Sequence, residues 1–277
     1  MGGDSVKVNG GGAEVFRVEG LKKRFGAKVV LDGIDIRLST GENLAILGKS
    51  GTGKSVLLKI VTGLIQPDEG RVFLWGQCME DLTEEEWVPF RRRMGFVFQS
   101  GALFDSLTVH ENVAFPLRER KLHSEAEIFR IAEERLDWVS LLGTGHLRPS
   151  ELSGGMRRRV AIARTLAADP ELLLYDEPTT GLDPITGRKI SRLMRDMDRK
   201  LKSTSILVTH DLDCARAVSS RWAYLSEGRV LCDGPSDDFF SSPHPEVREF
   251  LLGEEPARNL PHRPLPAGPA PQARDPE

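Results

Sequence analysis

The segment at residues 48–55, GKSGTGKS, constrains the fold more than any other part of the chain. It matches the pattern G-x-x-x-x-G-K-S, follows the apolar run NLAIL and precedes the helical run VLLKIVTGL. In this order of strand, loop and helix, glycine backbone N–H groups can surround phosphates at a positive helix N-terminus. Lys54 then neutralises phosphate charge, and the Ser55 hydroxyl is a ligand for Mg²⁺. The segment therefore predicts a nucleoside triphosphate site in an α/β fold.

A second motif, LLLYDEP, narrows the chemistry of that site. Three leucines and Tyr175 place Asp176 at the end of a buried strand, where it can hold the magnesium shell, and Glu177 can polarise a water against the γ-phosphate. Two adjacent carboxylates facing a phosphate chain repel each other unless a metal or a proton-accepting role accounts for them. The pair therefore predicts hydrolysis of the bound triphosphate.

The apolar patterns predict two sheets and a helical insertion. NLAILG, ELLLYDE and SILVTH are short continuous apolar runs, typical of covered parallel strands, whereas GIDIRL alternates like a half-buried strand. We therefore expect a parallel core sheet with a smaller antiparallel sheet near the N-terminus. Between the early strands and ELLLYDE, roughly at residues 80–165, we expect an inserted, charged helical subdomain, in which Ser124 and Glu127 form a capping-box signature.

Composition and cysteine spacing argue against several other functions. The net charge of −3 and the pI of about 6.1 provide no broad electrostatic reason to bind nucleic acid, and allow at most a local basic patch. The three cysteines are scattered without metal-ligand spacing, which favours reduced thiols in a cytosolic protein. No apolar window is long enough to cross a bilayer. We expect residues 1–14 to be a flexible leader and the proline-rich residues 253–277 to be a disordered tail.

The segment ELSGGM at residues 151–156 is a second glycine-rich helix start. Ser153, the N–H groups of Gly154 and Gly155, and the helix dipole can contact phosphate oxygens. This turn has no lysine and no magnesium ligand of its own. It is therefore predicted to close over a nucleotide held elsewhere, most economically in a symmetric dimer in which each copy covers the ATP of the other.

Five motifs in order carry a resemblance to a known family. GKSGTGKS, LSGGM, LLLYDEP, GLDP at 181–184 and VTHD at 208–211 resemble those of the nucleotide-binding subunit of ABC transporters, over about residues 15–252. The resemblance implies a P-loop NTPase cassette with a RecA-like parallel sheet, an N-terminal antiparallel β subdomain and an inserted α-helical subdomain. It also implies Mg²⁺-dependent ATP hydrolysis by a homodimer bound to integral membrane permease subunits, peripheral at the cytoplasmic face of the inner membrane.

The resemblance also assigns site residues. Phe25 resembles the aromatic that stacks on adenine, although a core aromatic is the alternative. Gln99 resembles the glutamine that touches Mg²⁺ or the attacking water, Asp183 the residue that communicates across the dimer, and His210 the switch histidine at the γ-phosphate. The predicted catalytic residues are Glu177, His210 and Gln99, and the predicted metal ligands are Ser55, Gln99 and Asp176. The predicted nucleotide-binding residues are Phe25, Gly48, Lys49, Ser50, Gly51, Thr52, Gly53, Lys54, Ser55, Ser153, Gly154, Gly155 and Asp183.

One departure from the family pattern concerns Met156. The family signature usually ends in Gln, and Met156 removes a polar contact to the partner's nucleotide. The serine and both glycines are intact, so nucleotide capping is expected to survive.

The segment at residues 100–120 should identify the membrane partner. Its apolar residues are predicted to form a surface groove for a permease helix, with packing inside the helical subdomain as the alternative; they are Phe104, Leu107, Val109, Val113, Phe115 and Leu117. The sequence of this segment, together with LSGGM and GLDPITG, resembles the sequences of the ATPases of MCE-associated lipid transporters, the Mla and Mkl-like group. That implies an MCE-domain protein as partner and a lipid as cargo. An amino-acid or osmolyte importer, and a soluble ABC ATPase that acts on ribosomes or DNA, are the alternatives.

Overall fold

The structure is a computed structural model that describes residues 12–252. Its strands are β1 (Glu14–Phe25), β2 (Lys28–Ser39), β3 (Asn43–Leu47), β4 (Glu69–Leu74), β5 (Gln77–Cys78), β6 (Met94–Val97), β7 (Leu172–Asp176), β8 (Thr204–Thr209), β9 (Arg221–Ser226) and β10 (Arg229–Pro235). Its helices are α1 (Lys54–Val61), α2 (Glu84–Arg91), α3 (Val109–Arg120), α4 (Glu125–Trp138), α5 (Gly154–Ala167), α6 (Pro184–Leu201), α7 (Leu212–Val218) and α8 (Pro245–Leu252). The predicted tail, and the predicted leader up to residue 11, lie outside the described residues.

Six strands form the core sheet, in the order β10-β9-β3-β8-β7-β6. All run parallel except β10, which is antiparallel to β9. Alternate residues of β3 pack into two different cores, Leu44 and Ile46 on one face, Ala45 and Leu47 on the other. Because both faces are covered, every residue of β7 and β8 is buried. The prediction of a parallel core sheet built from these apolar runs is confirmed.

A second sheet of four strands, in the order β2-β1-β4-β5, is antiparallel throughout. On β2, Ile34, Ile36 and Leu38 are buried while Asp35 and Arg37 are exposed, as the alternation predicted. The buried face shares one apolar core with α1 and the core sheet. The expected small antiparallel sheet near the N-terminus is therefore present.

The helices α3, α4 and α5 pack together over the other face of the core sheet. Ser124 caps α4, because its side chain accepts a hydrogen bond from the Glu127 N–H while the Glu127 carboxylate accepts one from the Ser124 N–H. The predicted insertion at residues 80–165 differs from the structure in one respect: β6 lies inside this range and pairs with β7 in the core sheet. Four residues of β6 are too few to show a periodic pattern, so sequence reasoning missed this strand.

Candidate functional site

The loop from β3 to α1 lies at the carboxyl end of the core sheet and carries the glycine-rich segment 48–55. Gly48 and Gly53 have φ angles of +155° and +104°. A Cβ atom on Gly48 would lie 2.3 Å from the carbonyl oxygen of Leu225, and one on Gly53 would lie 2.9 Å from that of Val30. Only glycine fits at these two positions, and the tight loop that results can turn its backbone N–H groups toward an anion.

The side chain of Lys54, at the start of α1, folds back over this loop. Its Nζ donates hydrogen bonds to the carbonyl oxygens of Gly48 and Lys49, at 2.8 and 3.0 Å. The same atom lies 3.7 Å from Oε1 of Glu177. Burial lowers the pKa of Lys54, and the carboxylates of Glu177 and Asp176 oppose this shift. A buried positive charge therefore lies between the glycine-rich loop and the acidic pair.

Asp176 ends β7 beside the first turn of α1. Ser55 Oγ donates a hydrogen bond to Oδ1 of Asp176 at 2.7 Å. Asp176 is 7% exposed, and burial raises the pKa of its carboxyl group. Mg²⁺ prefers such oxygen ligands and is usually held by one or two carboxylates together with substrate phosphates. Within residues 12–252, no cluster of three or more His, Cys, Asp or Glu could hold a metal. The Ser55–Asp176 pair thus fits a magnesium ion shared with a triphosphate.

Glu177 follows Asp176 and is held by side chains from two loops. His210 Nδ1 lies 2.9 Å from its Oε2, and Thr180 Oγ1 donates a hydrogen bond to the same oxygen at 2.9 Å. Thr209 Oγ1 approaches it at 3.5 Å. The φ angle of Glu177 is +48°, a conformation that a non-glycine residue keeps only when its surroundings enforce it. A buried carboxylate oriented in this way, next to an imidazole, can accept a proton from a water.

A cavity of about 470 Å³ lies beside these groups, and Asp176 borders it through Ser55 without lining it. The predicted site residues that line it are Phe25, Ser50, Gly51, Gly53, Lys54, Ser55, Gln99, Glu177 and His210. Phe25 ends β1 with 49% of its surface exposed, so it is not a core aromatic and its ring is accessible to a planar ligand. Lys49 points elsewhere, with its Nζ 3.1 Å from Oε1 of Glu249. Thr52 donates to the Lys49 carbonyl oxygen at 3.0 Å and stabilises the loop.

The second glycine-rich turn is not part of this cavity. Ser153 is the N-cap of α5 and accepts a hydrogen bond from the Met156 N–H at 3.2 Å, while Ser153 and Gly154 are exposed. A Cβ atom on Gly155 would lie 2.5 Å from Cγ2 of Thr186, so glycine allows α5 to pack closely on α6. The start of α5 is thus a second, exposed helix N-terminus suited to an anion. It lies outside the cavity that Lys54 of the same chain lines.

Asp183 likewise lies outside the cavity and caps α6. Its Oδ1 accepts hydrogen bonds from the N–H groups of Ile185 and Thr186, both at 3.0 Å. The hydrogen bonds that it accepts at Thr186 and Ile185 lower the pKa of the Asp183 carboxyl group. Within one chain its observed contacts are therefore those of a helix cap.

Sequence reasoning did not identify the threonines around Glu177. Thr180 lines the cavity beside Glu177, and Thr179 Oγ1 donates to Oδ2 of Asp211 at 2.8 Å. The Thr209 hydroxyl accepts from the Asp211 N–H at 3.0 Å. The sequence signal for these threonines was their position next to the motifs LLLYDEP and VTHD. Such a position does not distinguish a site residue from a turn residue.

The prediction for residues 100–120 was partly wrong. Val109, Val113 and Leu117 are one turn apart on α3 and are buried in the core of the helical region. Phe104 and Phe115 are 42% and 36% exposed, and their ring centroids are 4.6 Å apart. They line a groove of about 340 Å³ together with Phe96, Phe98, Ala102, Pro116 and Arg164. The apolar surface is thus formed by the aromatic residues, and the aliphatic ones support it from inside.

The phosphate loop lies on a mainly parallel sheet that is joined to a small antiparallel sheet, and the second glycine-rich helix start lies outside its cavity. This is the arrangement of a cassette-type ATPase. A family model described as "ABC transporter" matches residues 31–180. The chain belongs to the ABC transporter family, in the class of its ATP-binding subunits. None of the helices described between residues 12 and 252 is long and apolar enough to cross a membrane.

Curated relatives divide among several transport systems. The chain is 41% identical over 239 residues to the methionine import ATP-binding protein MetN of Rhizobium johnstonii, covering 86% of this chain but only 66% of MetN. It is 38% identical to the intermembrane phospholipid transport system ATP-binding protein MlaF of Haemophilus influenzae, covering 87% of this chain and 91% of MlaF. A Mycobacterium leprae relative, "Probable ribonucleotide transport ATP-binding protein mkl", is 38% identical, over 91% of this chain and 72% of the relative. The expected similarity to the Mla and Mkl group is confirmed.

Among solved structures, a dimeric ATP-binding cassette in a post-hydrolysis state, bound to ADP and Pi, is similar with a TM-score of 0.73. It is 36% identical in sequence, and the match covers 79% of this chain and 98% of that chain. The cassette fold and the ATPase class expected from the sequence are therefore confirmed.

Proposed function

We propose that this ATPase subunit powers transport of a phospholipid or another lipid, at the cytoplasmic face of the inner membrane, together with permease subunits and an MCE-domain protein. The observation that carries the enzymatic part is the position of Glu177. Its buried carboxylate lies beside His210, at 2.9 Å, and across from the Lys54 ammonium, at 3.7 Å. This is the position required of a group that activates water next to a bound phosphate chain.

The binding roles follow from the cavity. The N–H groups of residues 48–55 and the Lys54 ammonium hold the phosphates, and Phe25 stacks on the adenine. Ser55 and Asp176 would hold Mg²⁺, and Gln99 lines the same cavity as Ser55. A bound Mg²⁺ would supply positive charge to the phosphate oxygens.

The catalytic roles fall to Glu177, His210 and Gln99. Glu177 accepts the proton of the attacking water, and Thr180 and His210 fix the direction of its carboxylate. Gln99 is exposed at the rim of the cavity, where it can contact the water and also sense a partner. Closing the site around ATP excludes bulk water, and hydrolysis allows it to reopen.

A second copy completes the site in this proposal. The exposed Ser153 and Gly154 of one copy cover the ATP held by Lys54 of the other, with Asp183 near the contact between the two. The support is that Ser153, Gly154 and Gly155 lie outside the cavity of their own chain, and that the similar solved cassette is dimeric.

Mixing two defective chains tests this arrangement. Lys54→Ala removes the phosphate contact, whereas Gly154→Asp places a negative charge at the start of α5, where a Cβ atom would meet only Leu182 at 3.5 Å. Neither variant alone should hydrolyse ATP. A mixture should regain part of the activity, because one site of the mixed dimer keeps both an intact phosphate loop and an intact signature. A mixture as inactive as its components would contradict the shared site.

The permease is proposed to dock in the groove formed by Phe104 and Phe115. Aromatic side chains at 4.6 Å from each other provide a preformed apolar surface, and the Arg164 guanidinium lies 5.8 Å from the Phe104 ring centroid. An amphipathic helix from a membrane partner can insert its apolar face into such a groove.

The lipid assignment competes with a methionine or other amino-acid importer. The similarity to MlaF over 91% of its length supports the lipid branch, whereas the higher identity to MetN supports the importer. Affinity purification of the tagged chain from gently solubilised native membranes, followed by mass spectrometry, distinguishes the two. A permease with an MCE-domain protein and phospholipid supports lipid transport. A permease with a soluble solute-binding protein supports the importer, and recovery without any permease contradicts both.

A further inference from the structure

A second cavity, also of about 470 Å³, opens at the amino-terminal edge of the core sheet. Glu42 and Asn43, at the start of β3, are part of its wall, whereas the phosphate loop follows the other end of this strand. The five residues of β3 span roughly 16 Å at the rise of an extended strand. The two cavities therefore share no lining residue and are separate sites.

Four arginines line this cavity: Arg195 and Arg199 from α6, Arg216 from α7, and Arg221 from β9. Two of them are already neutralised. Arg221 donates two hydrogen bonds to the carboxylate of Asp233, at 2.9 and 2.8 Å. Arg195 donates to Asp196 at 3.1 Å.

The other two arginines are available for an added anion. Neither Arg199 nor Arg216 has a carboxylate within 4.0 Å in the part of the chain that the structure describes. Arg216 lies 4.8 Å from the centroid of the Phe240 ring, a contact that orients the guanidinium but leaves its charge in place.

Glu42, the one acidic residue among the described residues of the cavity wall, already has partners. It accepts a hydrogen bond from the Ser39 N–H at 2.7 Å and lies 3.5 Å from Arg221. The hydroxyls of Ser220 and Ser236, also on the wall, make no hydrogen bond to any described residue. The cavity therefore offers two uncompensated guanidinium groups and two free hydroxyls.

We propose that this cavity binds a soluble small molecule that carries more than one phosphate group, independently of the ATP site. Guanidinium groups donate paired hydrogen bonds that match phosphate oxygens, and serine hydroxyls complete such sites. A cavity of about 470 Å³ has the size of a small-molecule site. Its cationic groups line a recess, which suits a compact soluble anion better than the flat surface of a bilayer.

Calorimetric titration with inorganic tripolyphosphate tests the proposal. All proteins in the titration carry Lys54→Ala, which weakens anion binding at the phosphate loop equally in each. Any anion binding that the phosphate loop retains is therefore the same in every protein compared. Adding Arg199→Ala with Arg216→Ala should weaken the binding at least about tenfold, as expected for lost charge-assisted hydrogen bonds. The matched control adds Arg192→Ala, an exposed arginine of α6 outside the cavity, and should leave the affinity unchanged.

Equal affinities in the three chains, or no binding at millimolar tripolyphosphate in the Lys54→Ala chain, would overturn the proposal. Circular dichroism checks that the arginine variants are folded. Flotation with phosphatidylglycerol vesicles distinguishes the source of the phosphate. One result would overturn the soluble ligand in favour of a lipid headgroup. In that result the Lys54→Ala chain binds vesicles but not tripolyphosphate, and adding Arg199→Ala with Arg216→Ala abolishes the vesicle binding.

Discussion

The two glycine-rich helix starts of this chain use glycine for different reasons. In the phosphate loop, Gly48 and Gly53 have positive φ angles, so the backbone conformation itself requires them. At the start of α5, Gly154 and Gly155 have no positive φ angle, and Gly155 is required because Thr186 packs where a Cβ atom would be. One turn is built to wrap an anion, and the other is built to hold a helix end close to its neighbour.

The charged groups around the two glycine-rich turns also differ. The phosphate loop lies next to Lys54, Asp176 and Glu177, all buried, whereas Ser153 and Gly154 are exposed and the first turn of α5 carries no acidic residue. A carboxylate that could activate water thus accompanies the first helix start, and the second presents N–H groups and a hydroxyl. This asymmetry is the physical reason to expect that the second turn acts on a nucleotide bound by another copy.

The largest expected effect falls on the chemical side of this comparison. Glu177→Gln should lower kcat by about 10² to 10⁴, as expected for the loss of a general base, while ATP binding persists because Lys54 is unchanged. Phosphate release and nucleotide affinity, measured on the same preparation, check both parts. The matched control is Glu171→Gln, whose carboxylate pairs with Arg93 at the surface. Normal phosphate release from the Glu177 variant would remove this residue from its proposed role.

The close packing behind the second turn should be sensitive to a single methyl group. Gly155→Ala places Cβ 2.5 Å from Thr186 Cγ2 and should reduce the free energy of unfolding by about 1–3 kcal/mol. Thr186→Ser removes that methyl group and should restore most of the loss in the double variant. Gly154→Ala is the control, because its Cβ would meet only Leu182, at 3.5 Å. Urea unfolding that shows equal losses for both alanine variants would contradict this account.

A polar network supports the strand that carries the acidic pair. Asp198 accepts hydrogen bonds from Tyr175, Ser203 and Ser205, at 3.2, 3.0 and 3.2 Å. Burial raises the pKa of Asp198 to about 6. Because the folded state retains this proton after the unfolded state has released it, Asp198 lowers stability as pH rises from about 4 to about 6.

Asp198→Asn should remove this pH dependence. The amide oxygen can accept from Tyr175 and Ser203, and the amide N–H can donate to the Ser205 hydroxyl. The variant should therefore gain roughly 2 kcal/mol relative to the parent chain between pH 4 and pH 7. Urea unfolding of both chains at several pH values measures the difference. Two curves that stay parallel across this range would show that the Asp198 carboxyl group does not titrate in the folded state as its burial implies.

Short-range patterns account for what could be predicted from the sequence. Lys54, Asp176 and Glu177 lie in contiguous motifs, and the apolar runs of β3, β7 and β8 are local signals. Tertiary contacts account for the rest. The arginine-lined cavity draws its wall from α6, α7, β3 and β9, and the threonines around Glu177 come from the loop after β7 and from the end of β8. Val109, Val113 and Leu117 were predicted on the surface because apolar side chains alone do not show which face of a helix its neighbours cover.

The smallest expected effect concerns Ser153, which caps α5 through the Met156 N–H. Ser153→Ala should cost about 1 kcal/mol of stability, typical of a lost N-cap. The matched control is Ser124→Ala, which removes the equivalent cap of α4, where Ser124 Oγ accepts from the Glu127 N–H. Because only Ser153 is proposed to contact a partner's nucleotide, only its variant should also weaken ATP-dependent dimerisation, measured by sedimentation. If both variants dimerise like the parent chain, the serine hydroxyl acts as a helix cap alone, and the capping of ATP rests on the N–H groups of Gly154 and Gly155.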